Sequence, residues 1–232
     1  MYHDPDFAIL AHILPRTPVC IDAGANSGQS IHSIKHARPM AIIHSFEPNP
    51  EFSEQLFFTQ QQFENVHIHL SGLGKAVSNM DFFLPVINGV RYTQETTMRL
   101  ESLQAPWVVE RFKKRGDKVS FEKFNAPIEV GDSFNFRPDL IKIDVEGVES
   151  EVVAGFEQTI HKYKPILFVE NGDWDRLAPF IDRLGYLAMM PNESYSKLVP
   201  FRSDLPRVNS IYVSKTFQPP LFARLPRLLR GI

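Results

Sequence analysis

Residues 19–28 read VCIDAGANSG: a short apolar run that passes into two glycines and then, at Gln29, into a helix-compatible stretch. A strand that turns this tightly into a helix carries the chain over one sheet face, and the next apolar run returns beside it in parallel. The rhythm recurs. A helix over Gln29–His36 leads to a second strand at Ala41–Glu47. Pro50–Gln62 forms a second helix with Phe52, Leu56 and Phe63 on one side, and Val66–Leu70 a third strand ending in Ser71-Gly72-Leu73-Gly74. The pattern resumes with a strand at Leu140–Asp144, a helix over Glu149–His161, a strand at Pro165–Glu170 and a helix at Trp174–Arg183. Tyr186–Met190 and Ser210–Ser214 read as a closing antiparallel pair. Short apolar strands joined by helical crossovers predict an α/β fold whose mostly parallel sheet is covered on both faces.

Three segments stand outside this rhythm. Residues 1–18 read as a cap in which Phe7, Ile9, Leu10, Ile13 and Leu14 cover the sheet before Pro15 and Pro18 end it. Residues 76–138 interrupt the alternation with a strand at Ala76–Leu84 that opens a hairpin, a weakly patterned helix around 99–114 and the run Glu110–Lys118. An insertion of this length is the natural place for a substrate lid. The domain itself spans 19–216, and 217–232 form a basic, proline-containing tail, read as an arm that packs on the domain or on a second subunit in a homo-oligomer. Its arginines and short apolar stripe offer at most weak peripheral contact with a membrane.

Composition narrows the class. At 232 residues the chain suits one domain, and a net charge of −2 gives no field to gather nucleic acid. Its one cysteine, Cys20, makes neither an internal disulfide nor a cysteine-rich zinc site. The absence of a long apolar window argues against a transmembrane helix. Asp4 and Asp6 stand where a signal peptide would carry positive charge. A cytoplasmic protein is the expectation.

Four strand ends carry the chemistry. Gly24 and Gly28 allow a tight turn and close approach of a ligand, but they do not complete GxGxxG, and no Lys-Ser or Lys-Thr pair makes a phosphate loop. Asp22 in that loop repels a pyrophosphate and suits a ligand amine, so a cationic cofactor bearing an amino acid fits better than NAD. Glu47, in Phe46-Glu47-Pro48-Asn49-Pro50, ends the second strand, where a carboxylate can accept both hydroxyls of a ribose. Pro48 fixes the chain so that Asn49 borders the base, and Ser71 and Leu73 lie near the same ring. Asp144, Glu146 and Glu149 crowd the end of the next strand, with Lys142 inside it to snorkel or pair with Glu146 or Glu149. Glu170 and Asn171 end the strand after that. Asp144 and Glu170, on consecutive strands, can share a proton and supply a general base, or with Asn171 hold a divalent ion such as Mg2+.

Taken in order, IDAGANSG at 21–28, FEPNP at 46–50, SGLG at 71–74, IKIDVEGVE at 141–149 and FVENG at 168–172 resemble the FkbM-type family of S-adenosylmethionine-dependent methyltransferases. The resemblance implies a Rossmann-like class I methyltransferase fold: a seven-stranded, mostly parallel sheet with one antiparallel strand. It also implies a cofactor site of Asp22, Gly24, Asn26, Gly28, Glu47, Pro48, Asn49, Ser71, Leu73 and Asp144, with S-adenosylmethionine as the cofactor. Family members characteristically methylate oxygens, often sugar hydroxyls, which makes a small-molecule or glycan hydroxyl the expected acceptor and Asp144 or Glu170 the expected base. A phenol, an amine or a carboxylate is the alternative acceptor, and a non-catalytic cofactor-binding partner subunit the alternative role. The histidines are rival bases, but His44, His67 and His69 fall within strands and read as structural.

Overall fold

The computed structural model describes residues 2–93, 96, 100–104, 106, 109–110, 118–170, 174–202 and 209–219. The main sheet has eight strands: β1 (Val19–Ala23), β2 (Ile42–Phe46), β3 (Val66–His69), β8 (Leu140–Ile143), β9 (Ile166–Glu170), β10 (Tyr186–Pro191), β11 (Leu198–Pro200) and β12 (Asn209–Ser214). Their order is β11-β10-β12-β9-β8-β1-β2-β3. The five from β3 to β9 pair in parallel, while β12 runs antiparallel to both β9 and β10. The architecture is Rossmann-like, with the strand count corrected from seven to eight. The extra strand arises because Asn192 closes a turn, its side chain accepting from the Ser196 and Lys197 amides, so that Leu198–Pro200 folds back along β10.

Side-chain alternation sorts the core into two layers. Cys20, Leu140, Phe168 and Ile211 face the N-terminal segment, α2 (Gln29–Ala37) and α3 (Ser53–Gln62). Ile21, Ile141, Leu167 and Tyr212 face α5 (Glu149–Gly155), α6 (Glu157–Tyr163) and α7 (Trp174–Leu184). Burial on both faces is why these strands read as continuous apolar runs. The N-terminal residues Phe7, Ile9, Leu10, Ile13 and Leu14, which include the short α1 (Leu10–Ile13), are at most 3% exposed within the first layer. The helix expected over Glu149–His161 is two helices, broken at the buried Phe156 (φ −110°, ψ 13°).

The strand expected at Ala76–Leu84 belongs to a second sheet, of order β4-β7-β5-β6. It comprises β4 (Gly72–Gly74), β5 (Ser78–Ile87), β6 (Val90–Arg91) and β7 (Val119–Val130). The SGLG segment therefore does not end the third strand. It leaves the main sheet and pairs in parallel with β7. β5 and β7 pair over ten residues, from Ser78↔Ile128 to Ile87↔Val119. Of the helix expected at 99–114, α4 (Leu100–Gln104) is described. Trp107, the 111–117 stretch, Asn171 and tail residues 220–232 lie outside the described residues. Among the described residues, no helix is long and apolar enough to cross a membrane.

Candidate active site

The carboxyl ends of β8, β1 and β2 form the switch point of the main sheet, since the chain leaves β1 toward β2 on one side and meets β8 on the other. Gly24 turns there with φ +79°, and the amides of Gly24 and Ala25 both donate to the Phe46 carbonyl, at 2.9 and 3.1 Å. A Cβ on Gly24 would stand 1.8 Å from the Asp144 carbonyl oxygen, so this glycine lets the β1 loop approach the end of β8. We expect Gly24→Ala to cost about 3 kcal/mol from the strained φ and the backbone overlap. Thermal denaturation would register this as a fall of roughly 6–12 °C in Tm. Gly28, with φ +94°, turns the chain into α2.

Glu47 lies one residue beyond β2 and is 7% exposed. Its two oxygens each accept a backbone amide at 2.8 Å, Oε2 from Asn26 and Oε1 from Asn49. Burial pushes its carboxyl up to about 7, against the lowering effect of those two bonds. Each oxygen retains a lone pair for a further donor. Asn49 is fully buried and its side chain is occupied: its Oδ1 accepts from the Glu51 amide and its Nδ2 donates to Thr96 Oγ1 at 3.1 Å. Ser71 is similarly occupied, donating to Glu129 at 2.5 Å.

Strand register explains the next group. Asp22 on β1 is the partner of Ser45 on β2 and of Lys142 on β8, all on one face. Asp22 is fully buried. Its Oδ2 accepts from Ser30 at 2.7 Å and Ser45 at 3.0 Å, and its Oδ1 faces Lys142 Nζ at 3.2 Å as an ion pair without an aligned hydrogen bond. Asp22 thus lies beneath the cleft rather than on its wall. Lys142 neither snorkels nor seeks Glu146 or Glu149. It donates to the Gly24 carbonyl at 2.6 Å and reaches Asp144 at 3.5 Å. Burial acts to lower its pKa, but Asp22 and Asp144 outweigh it and hold the ammonium above the usual lysine value. Lys142→Met would leave the Asp22 charge buried without its counter-ion, at a cost of about 3 kcal/mol. Adding Asp22→Asn should recover part of that loss in urea unfolding.

The same register, Lys142↔Phe168, continues to Asp144 beside Glu170. Carboxylate oxygens of Asp144, Glu146 and Glu170 lie within 4.8 Å of one another. Burial acts to raise the Asp144 pKa, yet Lys142 and a hydrogen bond with Glu170 hold it below the usual carboxylate range. Burial and then the Asp144 charge push Glu170 well above that range. The two shifts run in opposite directions, so a proton shared by the pair is favoured on Glu170 and the charge on Asp144. Glu146, the third member of this group, sits at φ +57° in the turn before Gly147. Three carboxylates can hold a hard divalent cation. Glu149 is buried and accepts from the Gly147 amide at 2.9 Å, which fixes that turn.

These groups border a cleft of about 330 Å³. Its wall includes Gly24, Asn26, Glu47, Pro48, Leu73, Lys142, Asp144 and Glu146, but not Asp22, Gly28, Asn49, Ser71 or Glu170. It also includes residues the sequence reading missed: His3, Gln29, Ser30, Phe52, and from the 76–138 segment Phe82, Thr93, Thr96 and Ile128. Alternation of Phe82 and Leu84 marked β5, while nothing local marked His3. His44 instead stacks on His67 and lies against Phe136, His69 stacks on Phe46, and burial followed by the two neighbouring imidazoles lowers the His44 pKa to about 4.

The donor set suits a nucleoside joined to an amino acid. A buried carboxylate ends β2, apolar Pro48, Leu73 and Phe82 stand among the wall residues, and charged Lys142 and Asp144 stand at β8. A family model described as "Methyltransferase FkbM domain" matches residues 22–188. The chain is similar to "Methyltransferase 1" of Beauveria bassiana (strain ARSEF 2860), 26% identical over 150 residues, covering 62% of this chain and 60% of that protein. It is 23% identical over 184 residues to "2-O-methyltransferase NoeI" of Sinorhizobium fredii (strain NBRC 101917 / NGR234), covering 75% and 72%. The crystal structure of methyltransferase FkbM from Methylobacillus flagellatus KT aligns with a TM-score of 0.57 at 15% identity, over 91% of this chain and 49% of that one. The chain thus spans 60% of the first relative and about half of the solved structure. With the model covering more than half of its length, the chain belongs to the FkbM-domain methyltransferase family.

Proposed function

We propose that the protein binds S-adenosylmethionine in this cleft and methylates a hydroxyl oxygen of a sugar or glycan-type acceptor. The observation that carries the reading is Asp144 on the wall of a cleft that also holds the buried Glu47, with the Glu170 carboxyl within 4.8 Å of it. When bound, the cofactor supplies a methyl already activated by a sulfonium. Glu47 accepts the ribose hydroxyls, and Gly24 and Asn26 shape the adjoining wall. A neutral hydroxyl is a weak nucleophile, so its proton must leave as the new bond forms. Asp144 Oδ takes that proton, and Glu170 holds its own by donating to Asp144. If a divalent cation binds, Asp144, Glu146 and Glu170 would hold it and it would polarise the acceptor oxygen. The name of the Sinorhizobium fredii relative, a 2-O-methyltransferase, supports an oxygen acceptor.

The test is transfer of a labelled methyl group to panels of sugars, phenols, amines and carboxylic acids, run beside calorimetric titration with the cofactor. We expect cofactor binding and turnover confined to the sugar panel. Binding without turnover on any panel would favour a non-catalytic partner subunit.

A further inference from the structure

The N-terminal segment contributes one side chain to the cleft, and the fold holds it there from three directions. Phe7 is buried with its ring 4.7 Å from Phe168 of β9. Asp4 Oδ2 accepts from Asn209 Nδ2 on β12 at 2.6 Å. Between these anchors and the cleft, His3 binds Ser33 of α2 twice: its backbone amide donates to Ser33 Oγ at 3.0 Å, and its ring Nδ1 lies 2.7 Å from the same oxygen.

That double contact is satisfied when Nδ1 accepts from the Ser33 hydroxyl. Ser33 Oγ has one hydrogen to give, and it already accepts the His3 amide. Giving that hydrogen to Nδ1 places the imidazole proton on Nε2, which has no hydrogen-bond partner among the described residues. Burial lowers the His3 pKa, which favours the neutral ring with its one N–H donor. Its charged neighbours are Lys142, Asp4, Asp22 and Asp144, which belong to the β1–β8 end of the cleft and to the N-terminal segment itself. His3 and Lys142 are the basic side chains among the described wall residues.

We propose that His3 Nε2, oriented by Ser33 and backed by the Lys142 ammonium, donates to the α-carboxylate at the amino-acid end of the cofactor. The inference rests on the cofactor reading above and adds a subsite supplied by a segment outside the alternating α/β pattern. Its test compares two probes, S-adenosylhomocysteine, which carries the amino-acid end, and 5′-methylthioadenosine, which lacks it. His3→Ala should weaken S-adenosylhomocysteine about 10-fold, the loss of one hydrogen bond to a charged group. The same variant should bind 5′-methylthioadenosine as wild type does, which also reports that the cleft is folded. His3→Gln, which puts an amide N–H near the place of Nε2, should restore most of the affinity. Equal loss for both probes, or no loss for either, would overturn the subsite. Wild type that binds neither probe would overturn the cofactor reading itself, and the subsite with it.

Discussion

Asp144→Asn should lower methyl transfer by about 10³-fold, within the range for loss of a positioned general base. S-adenosylhomocysteine binding should change little, because the side chain keeps its shape and one oxygen. The physical basis is the division of labour between two carboxyls on neighbouring parallel strands. Lys142, 3.5 Å from Asp144, stabilises its charge, whereas Glu170 has no such counter-ion among the described residues and is the favoured holder of a shared proton. Glu170→Gln should cost less, about 10-fold, because the amide still donates toward Asp144 while losing the ability to exchange the proton. Measured single-turnover rates for the two variants would separate the roles. A larger loss in Glu170→Gln than in Asp144→Asn would reverse the assignment of base and partner.

Glu47→Ala should weaken cofactor binding by about 10³-fold, the loss of two hydrogen bonds to a charged acceptor at about 2 kcal/mol each. The variant also strands the Asn26 and Asn49 amides that now donate to the carboxylate. Glu47→Gln isolates the charge, and its signature is in the pH dependence. The folded-state value of about 7 lies above the ordinary glutamate value of 4.5, because burial disfavours the charged form. A raised carboxyl contributes stability that is complete below the ordinary value and is lost as pH rises through about 7. The ligand-free protein should therefore lose thermal stability over that window, and the raised Glu170 extends the decline to higher pH. Cofactor binding has the opposite sign. Ribose hydroxyls donate to the carboxylate, so binding below about pH 7 releases a proton and affinity rises with pH. Calorimetry in two buffers of different ionisation enthalpy would count that proton, and Glu47→Gln should abolish it.

Some of this was legible residue by residue. The ends of β1, β2, β8 and β9 follow from apolar runs that stop at Gly24, Glu47, Asp144 and Glu170, because a strand buried on both faces cannot hide its polar limits. The closeness of Asp144 and Glu170 follows as well, since consecutive parallel strands set equivalent ends side by side. The burial of Asn49 and Ser71 was not legible. Each lies beside a motif residue, but its direction depends on Thr96 and Glu129, partners far along the chain.

From the sequence alone, local periodicity and turn chemistry determined an α/β domain with its chemistry at the strand ends, and composition excluded a global basic field. Tertiary structure alone decided that Lys142 pairs with Asp22 and Asp144, that β4 to β7 form a separate sheet flanking the cleft, and that His3 enters it. Each of these depends on contacts between segments far apart in the chain. A repeat of two or three-and-a-half residues records which face of an element is buried, but not what that face meets.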